Sequence, residues 1–583
     1  MKGHRLAIVA ALMAFVAAPV VPLVAAIAAE PSAVRTFAEV DRLALLATNS
    51  LLLALIAAAV ALPFGTFLGL GLGRLPIAGR GLLRAIVLVG VFIPLPIWAI
   101  AWQAILGQWV PSLGLAPGAV AWRAWNVGLL PAGWIHGMAA TPWVAWIVSS
   151  GLHSGDRGLE EQTRMLGGTG LVLKAVMIPA MRPGLLAALA WVVVQTATDI
   201  PITDAFMVRT FAEEAYTQLI GSATGLAAAT ATAIPIWLLG LLLAVVPKRF
   251  FPDAAAEPMP VLPLSTSVRL LANVACWSIA GLSITAPVLA LVLQAGGPRF
   301  AWLKLAEQLR SALAADGALL LQSLLWSVLA ALGTALFAQR ACWAGRDSAR
   351  LRSLLIAAGT LSLLTPGPLL GLGLKGLIQW LVETEAALGT SWRPIASALY
   401  DRPAPWPCIW VGFLRWWPVA ALMIWPSLRA IPNDLWQSAT VERGERSGTW
   451  SALAEPSTRR SLWQATLAIA ALNMAEVSAS KLAAPPAFKT YVLRLFDQMH
   501  YGAEPNVAAM ALLQIAASAA LAIAMPGRER PSKSNYFFSG RGLAGAFGFG
   551  AAFFSGASAA VFALVAFWPR LDSVHHGLRR LIL

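Results

Sequence analysis

Apolar runs long enough to cross a bilayer recur along almost the whole chain, and this recurrence restricts the fold to a bundle of membrane-spanning helices. In hydrocarbon every backbone N–H and C=O must be satisfied internally, and runs of about 20 apolar residues do this as helices. The first six runs are Leu6 to Ala29, Leu43 to Leu72, Ala85 to Leu106, Trp134 to Leu152, Leu185 to Pro201 and Leu219 to Val246. After a Pro-rich connector, six more follow: Val268 to Leu293, Leu319 to Phe337, Leu354 to Leu381, Trp406 to Trp425, Leu462 to Val477 and Val507 to Ala524. A Gly- and Ala-rich run, Leu543 to Trp568, would add a thirteenth beyond the basic segment Arg528 to Lys533. The expectation is an all-α polytopic membrane protein in four parts: residues 1–250, a linker at 251–265, residues 266–526, and a tail at 527–583. Only 12% of residues are charged, against roughly 25% in soluble domains, which excludes a water-soluble enzyme.

The net charge is +15, yet no basic run exceeds two adjacent residues, so the excess points to lipid rather than nucleic acid. The basic start Met1-Lys2-Gly3-His4-Arg5 and the small residues Ala26-Ile27-Ala28-Ala29 resemble a secretory signal. The run between them outlasts a signal core of roughly 7–15 residues, which favours an uncleaved first span with the N-terminus in the cytoplasm. With spans alternating from there, the inside segments hold 24 Lys and Arg and the outside segments 11. That bias fits the positive-inside rule, and the expected location is the plasma (inner) membrane. Cys276, Cys342 and Cys408 lie far apart without CxxC spacing, and His575/His576 have only Asp572 nearby, so no metal site is expected.

The chain repeats itself. Asn49-Ser50-Leu51-Leu52 returns as Gln322-Ser323-Leu324-Leu325, and Pro94-Leu95-Pro96 as Pro366-Gly367-Pro368. Further on, Gly167 pairs with Gly444, Pro179 with Pro456 and Asp199 with Glu476, each at an offset of 277. An even number of spans separates equivalent points, so the two six-helix halves would be parallel repeats with a solute path between them. The longest inside connectors also match. In the first, Asp156 can cap a helix bearing Glu160 and Glu161, Gly167-Gly168 stops it, and Pro179 and Pro183 begin the next span. In the second, Asn433 can cap a helix through Trp436, Ser438 and Ala439, with Gly444 as the stop and Pro456 twelve residues later.

These connectors resemble the cytoplasmic loops of the fused two-permease subunits of ATP-binding-cassette importers, of the ferric-iron and thiamine type. The family's loop carries Glu-Ala-Ala, three residues, Gly, and later Ile-x-Leu-Pro. Here the first copy reads Glu161-Gln162-Thr163-Arg164-Met165-Leu166-Gly167, then Met177-Ile178-Pro179. The second reads Ser438-Ala439-Thr440-Val441-Glu442-Arg443-Gly444, then Ala454-Glu455-Pro456. Neither has the Ala-Ala pair, and the second lacks the Glu at the first motif position. The resemblance covers nearly all of residues 40 to 525. It implies a channel-forming subunit whose loops each dock on one member of a cytoplasmic ATP-binding dimer, with solute delivered by an external binding protein.

Asp199 and Glu476 sit near the outer ends of the fifth spans, where a buried carboxylate is costly and marks either a solute path or a helix-end cap. Pro94/Pro96 and Pro366/Pro368 should break the third spans and free backbone carbonyls for a cavity or a plain kink. Arg415 and Lys481 are expected to snorkel to the interface, and many of the 25 Trp to form an interfacial belt. No Gly-Lys dipeptide occurs, so the phosphate loop GxxxxGK[ST] is absent and ATP must be bound by a partner subunit; the chain needs no cofactor of its own. HExxH and GxSxG are also absent, and Glu383, Glu385 and Asp401 are too dispersed for a catalytic cluster. The expected function is import of a small solute, ferric iron or a similar cation first and thiamine second. An ion-coupled carrier with parallel repeats is the alternative.

Overall fold

The computed structural model describes residues 15–33, 39–109, 125, 127–152, 157–221, 225–245, 261–297, 300–346, 348–389, 393–443, 453–499 and 505–525. Every regular element in them is helical. The first part contains α1 (Val20–Ala29), α2 (Val40–Gly73), α3 (Arg80–Val91), α4 (Leu95–Ala104), α5 (Leu129–Gly151), α6 (Arg157–Val172), α7 (Ile178–Thr198), α8 (Pro201–Ala205), α9 (Phe211–Gly221) and α10 (Gly225–Val245). The second contains α11 (Thr266–Ala280), α12 (Ala286–Ala295), α13 (Trp302–Gly345), α14 (Ala349–Leu364), α15 (Gly367–Ala387), α16 (Pro394–Leu399), α17 (Trp406–Arg429), α18 (Asn433–Arg443), α19 (Glu455–Asn473), α20 (Ser480–Ala483), α21 (Tyr491–Met499) and α22 (Pro505–Ile523).

Six helices among the described residues are long and apolar enough to cross a membrane, or up to eight if each of two bent pairs is one span. The chain is therefore an all-α, membrane-embedded protein. The apolar runs predict twelve spans, and the shortfall has local causes. The first run is described only from residue 15, and the sixth is divided between α9 and α10. In α5 the Trp, Pro, Gly and His residues dilute the hydropathy, and α19 opens on Glu455, Arg459 and Arg460. The run Leu543 to Trp568, like His575/His576, lies outside the described residues.

Both third spans break at the prolines, as their sequence predicts. The pair Arg80–Val91 and Leu95–Gly107 bends by 105°, and the pair Ala349–Leu364 and Gly367–Ala387 by 104°. Pro94 and Pro366 are the residues just before the second helix of each pair, and Pro96 and Pro368 fall in its first turn. There a proline removes an N–H that would be orphaned anyway, so the chain turns without an unsatisfied donor.

Helices α2 and α5 pack through two small-residue motifs at different levels of the pair, Gly65-x-x-x-Gly69 against Thr141 to Val148 and Gly133-x-x-x-Gly137 against Ile56 to Val60. A Cβ on Gly69 would come within 2.8 Å of the Ala145 carbonyl oxygen, and one on Gly137 within 2.6 Å of Val60 Cβ. Apolar helices gain nothing from leaving lipid for one another, so such close backbone approach, with its dispersion contacts, holds the pair together.

The core is shared across the linker. Cys276, Ile284 and Leu291 of the second part and Tyr491 beyond them belong to one buried cluster with α2, α4, α5 and α7. In return α1 lies against α10 and α15, close enough for a Cβ on Gly376 to meet Pro22. Each part thus sends its first helix onto the other, and Leu262 at the end of the linker donates its N–H to the Arg74 carbonyl at 2.9 Å.

Candidate functional site

The break between α3 and α4 opens onto a cavity of about 120 Å³. Its wall includes Pro94 and Pro96 at the break, Gln195 and Asp199 at the end of α7, and Arg415 and Glu476 from the second part. Pro366 and Pro368 are not in this wall, to which the second break contributes Leu363 instead. Of the four prolines expected to line a solute path, this cavity therefore takes two. At the second break Gly367, between the two prolines, packs against Ser478 and Ala479: a Cβ there would come within 3.2 Å of the Ala479 nitrogen.

Asp199 and Glu476 do two things at once. Each follows the last turn of a long helix, α7 or α19, and accepts from a backbone N–H three residues on: Asp199 Oδ2 from Ile202 at 3.0 Å, and Glu476 Oε1 from Ala479 at 3.0 Å. These bonds cap orphan donors and hold the carboxylates in place, although both residues are buried. They also face the cavity, so capping and lining are compatible here. Asp199 Oδ2 lies 3.2 Å from His136 Nε2 of α5, a contact without hydrogen-bond alignment that leaves the fully buried imidazole without an aligned partner.

Arg415 departs from expectation. It does not run to the interface but stays in the cavity wall, 14% exposed, with Nε 3.4 Å from Glu476 Oε2. One Nη donates to the Thr365 carbonyl at 3.3 Å and the other to Thr198 Oγ1 at 3.5 Å, so the guanidinium ties the second part to the end of α7 in the first. The carboxylate and these acceptors substitute for water. Lys481 is exposed, with Nζ 4.6 Å from the Phe496 ring centroid.

The connector helices form a second candidate site. Glu160 on α6 is buried, and both its oxygens lie 2.6 Å from Arg74 Nη2 at the end of α2. Arg164 reaches the same carboxylate at 2.5 Å. Glu161, one residue on, is exposed and pairs with Arg157. The helix breaks at Gly167 and Gly168, the latter at φ +67°, as the sequence pattern requires, and Pro179 sits in the first turn of α7. Just before the break, Met165 and Leu166 are 89% and 84% exposed.

In the second connector α18 begins at Asn433 and carries Ser438, whose hydroxyl donates to the Asp434 carbonyl, and the half-buried Ala439. Val441 is 86% exposed. Gly444 lies outside the described residues, and Pro456 is in the first turn of α19. The anchor differs from the first connector. Arg346, at the end of α13, donates to the Ile431 carbonyl at 3.1 Å and lays its guanidinium 3.8 Å from the Trp436 ring centroid.

Five contributors are not singled out by the sequence patterns: Arg74, Arg346, Trp436 as an anchor, His136 and Gln195. The last two carry a legible signal, since His136 is a lone ionisable residue within an apolar run, and Gln195 and Asp199 recur every four residues on one helical stripe with Trp191, which also lines the cavity. Glu385, one of the dispersed acidic residues, is a structural cap that accepts from the Ile395 and Ala396 N–H groups at 2.8 Å. Comparison with protein-family models, with curated proteins and with solved structures finds no match to this chain.

Proposed function

We propose that this chain is the membrane-spanning permease subunit of an ATP-binding-cassette importer and carries a small solute across the inner membrane. The observation that carries this reading is the pair of connector helices. Each presents an almost fully exposed apolar side chain, Met165 or Val441, and each is fastened to the end of a long membrane helix by a buried arginine, Arg74 or Arg346. An exposed Met or Val on a short polar helix gains free energy only when a partner covers it. The rigid anchors would pass movement of that partner to the spans.

The parallel two-half arrangement belongs to the same proposal. It is supported by the two breaks of nearly equal angle, by the matched caps at Asp199 and Glu476, and by the matched bonds of Ser50 Oγ with the Phe211 N–H and Ser323 Oγ with the Tyr491 N–H. The cavity between the halves would be the solute path, filled from outside by a binding protein. The partner inside would be a dimer of ATP-hydrolysing subunits, with the N-terminus of this chain on their side. Ferric iron sits poorly with the lining, where one of the two carboxylates already faces Arg415; a trivalent ion prefers several free oxygens. An ion-coupled carrier would have no use for paired exposed connector tips.

The test is co-expression with ATP-hydrolysing subunits, followed by co-purification and an ATPase assay with Gly167→Trp in the first connector. A stable complex whose activity falls in the variant is the expected result. Uptake driven by an ion gradient, with no ATPase bound, would sink the reading.

A further inference from the structure

The cavity also carries information about charge, shape and hydrogen bonding. Its ionisable lining is Asp199, Glu476 and Arg415, which leaves one net negative charge. Arg415 faces Glu476, so the carboxylate in the wall without an arginine partner is Asp199, whose Oδ2 is held by the Ile202 N–H and lies 3.2 Å from the His136 imidazole. One turn before Asp199, the Gln195 side-chain oxygen is buried without a hydrogen-bond partner, an acceptor aligned with Asp199 along α7. One further turn back is Trp191, whose ring lies 4.5 Å from that of Trp143 at 34°, and both rings line the cavity. The corresponding stripe in the second part is Ala468, Leu472 and Glu476, so the side-chain amide comes from the first part alone, while the second part adds the Trp416 ring to the wall.

An acceptor left empty in a low-dielectric site is costly until an N–H fills it. Tryptophan rings beside a carboxylate attract a cation that has shed much of its water. The volume, about 120 Å³, is close to the roughly 150 Å³ of a cavity that admits benzene, so a guest about the size of a single ring fits. Among the described residues no three of His, Cys, Asp and Glu converge as a metal site.

We infer that the cavity binds a small organic monocation bearing N–H donors, its charge on Asp199, an N–H on Gln195 and its flat face on Trp191 and Trp143. This rests on the cavity being the solute path of the proposed permease.

The test is calorimetric titration of the purified full-length chain in lipid nanodiscs with methylguanidinium, with the neutral isostere N-methylurea and with acetate. Methylguanidinium should bind saturably, one per chain, and N-methylurea at least about tenfold more weakly, the size of one lost charge interaction. Acetate should not bind. Asp199→Asn, which keeps an acceptor for the Ile202 N–H, and Gln195→Leu, which removes an unpaired buried acceptor, should each weaken methylguanidinium binding without lowering the thermal midpoint. Absence of saturable binding, equal binding of N-methylurea or acetate, or indifference to both substitutions would overturn the inference. No ATPase subunit is present in this titration, so the two readings fail separately. Methylguanidinium binding without ATPase association would refute the importer, and ATPase association without methylguanidinium binding would refute the substrate class.

Discussion

Arg74 and Glu160 lie 86 positions apart and form an ion pair in which both side chains are 1% exposed, joining the end of a 34-residue membrane helix to the connector that follows α5. Removing one member of such a pair leaves an uncompensated buried charge, at a cost of about 3–5 kcal/mol. Glu160→Gln strands Arg74, whereas Arg74→Met leaves Glu160 with Arg164. The first should therefore lower the thermal midpoint in detergent more than the second. In the other connector, Trp436→Leu removes a cation–π contact of about 0.5–2 kcal/mol and should cost less than either.

The connector tips should matter for association and not for folding. Met165→Asp and Val441→Asp replace side chains 89% and 86% exposed, so stability should change by no more than about 0.5 kcal/mol. ATPase co-purification should be lost in the double variant and weakened in each single one. Retention of the complex in the double variant would place the docking surface elsewhere.

Gly137 tests the close approach of α2 and α5. Its Cβ would fall 2.6 Å from Val60 Cβ and 3.0 Å from the Ala57 carbonyl, within helix backbone that cannot move aside. Gly137→Val should destabilise by about 1–3 kcal/mol, read as a lower thermal midpoint. Gly170→Ala, where a Cβ meets nothing within 4 Å, is the matched control and should leave the midpoint unchanged.

Acidity should reveal Glu213 on α9. Burial raises its carboxyl pKa, and the neighbouring Glu214 carboxylate, held by Arg42, adds to the effect, while a hydrogen bond from Thr217 opposes it. A raised folded-state value means that the native protein binds this proton more tightly than the unfolded chain. Its destabilising contribution therefore appears as pH rises from the ordinary carboxylate value of 4.5 through the folded one, and is fully present above that. Glu213→Gln should unfold at a higher temperature than the parent at pH 7 and at nearly the same temperature at pH 4. A larger gain at pH 4 than at pH 7 would contradict the assignment.

The order of residues along the chain is enough to dictate the class of fold and the places where it bends. Helix in a bilayer follows from backbone hydrogen bonding within each apolar run, and the breaks at Pro94 and Pro366 follow from a missing N–H; both are local causes legible in a few residues. The Gly167-Gly168 stop and the proline starts of α7 and α19 are local in the same way. Which charges meet is settled by packing between distant helices. Arg415 reads as an interfacial side chain in its own helix, yet Thr365, Thr198 and Glu476, up to 217 positions away, hold it in the cavity wall. Arg74 finds Glu160, and Arg346 finds Trp436, for the same reason. A buried charge is stabilised by whatever packing brings within a few ångströms, and the spacing of residues along the chain does not record that distance.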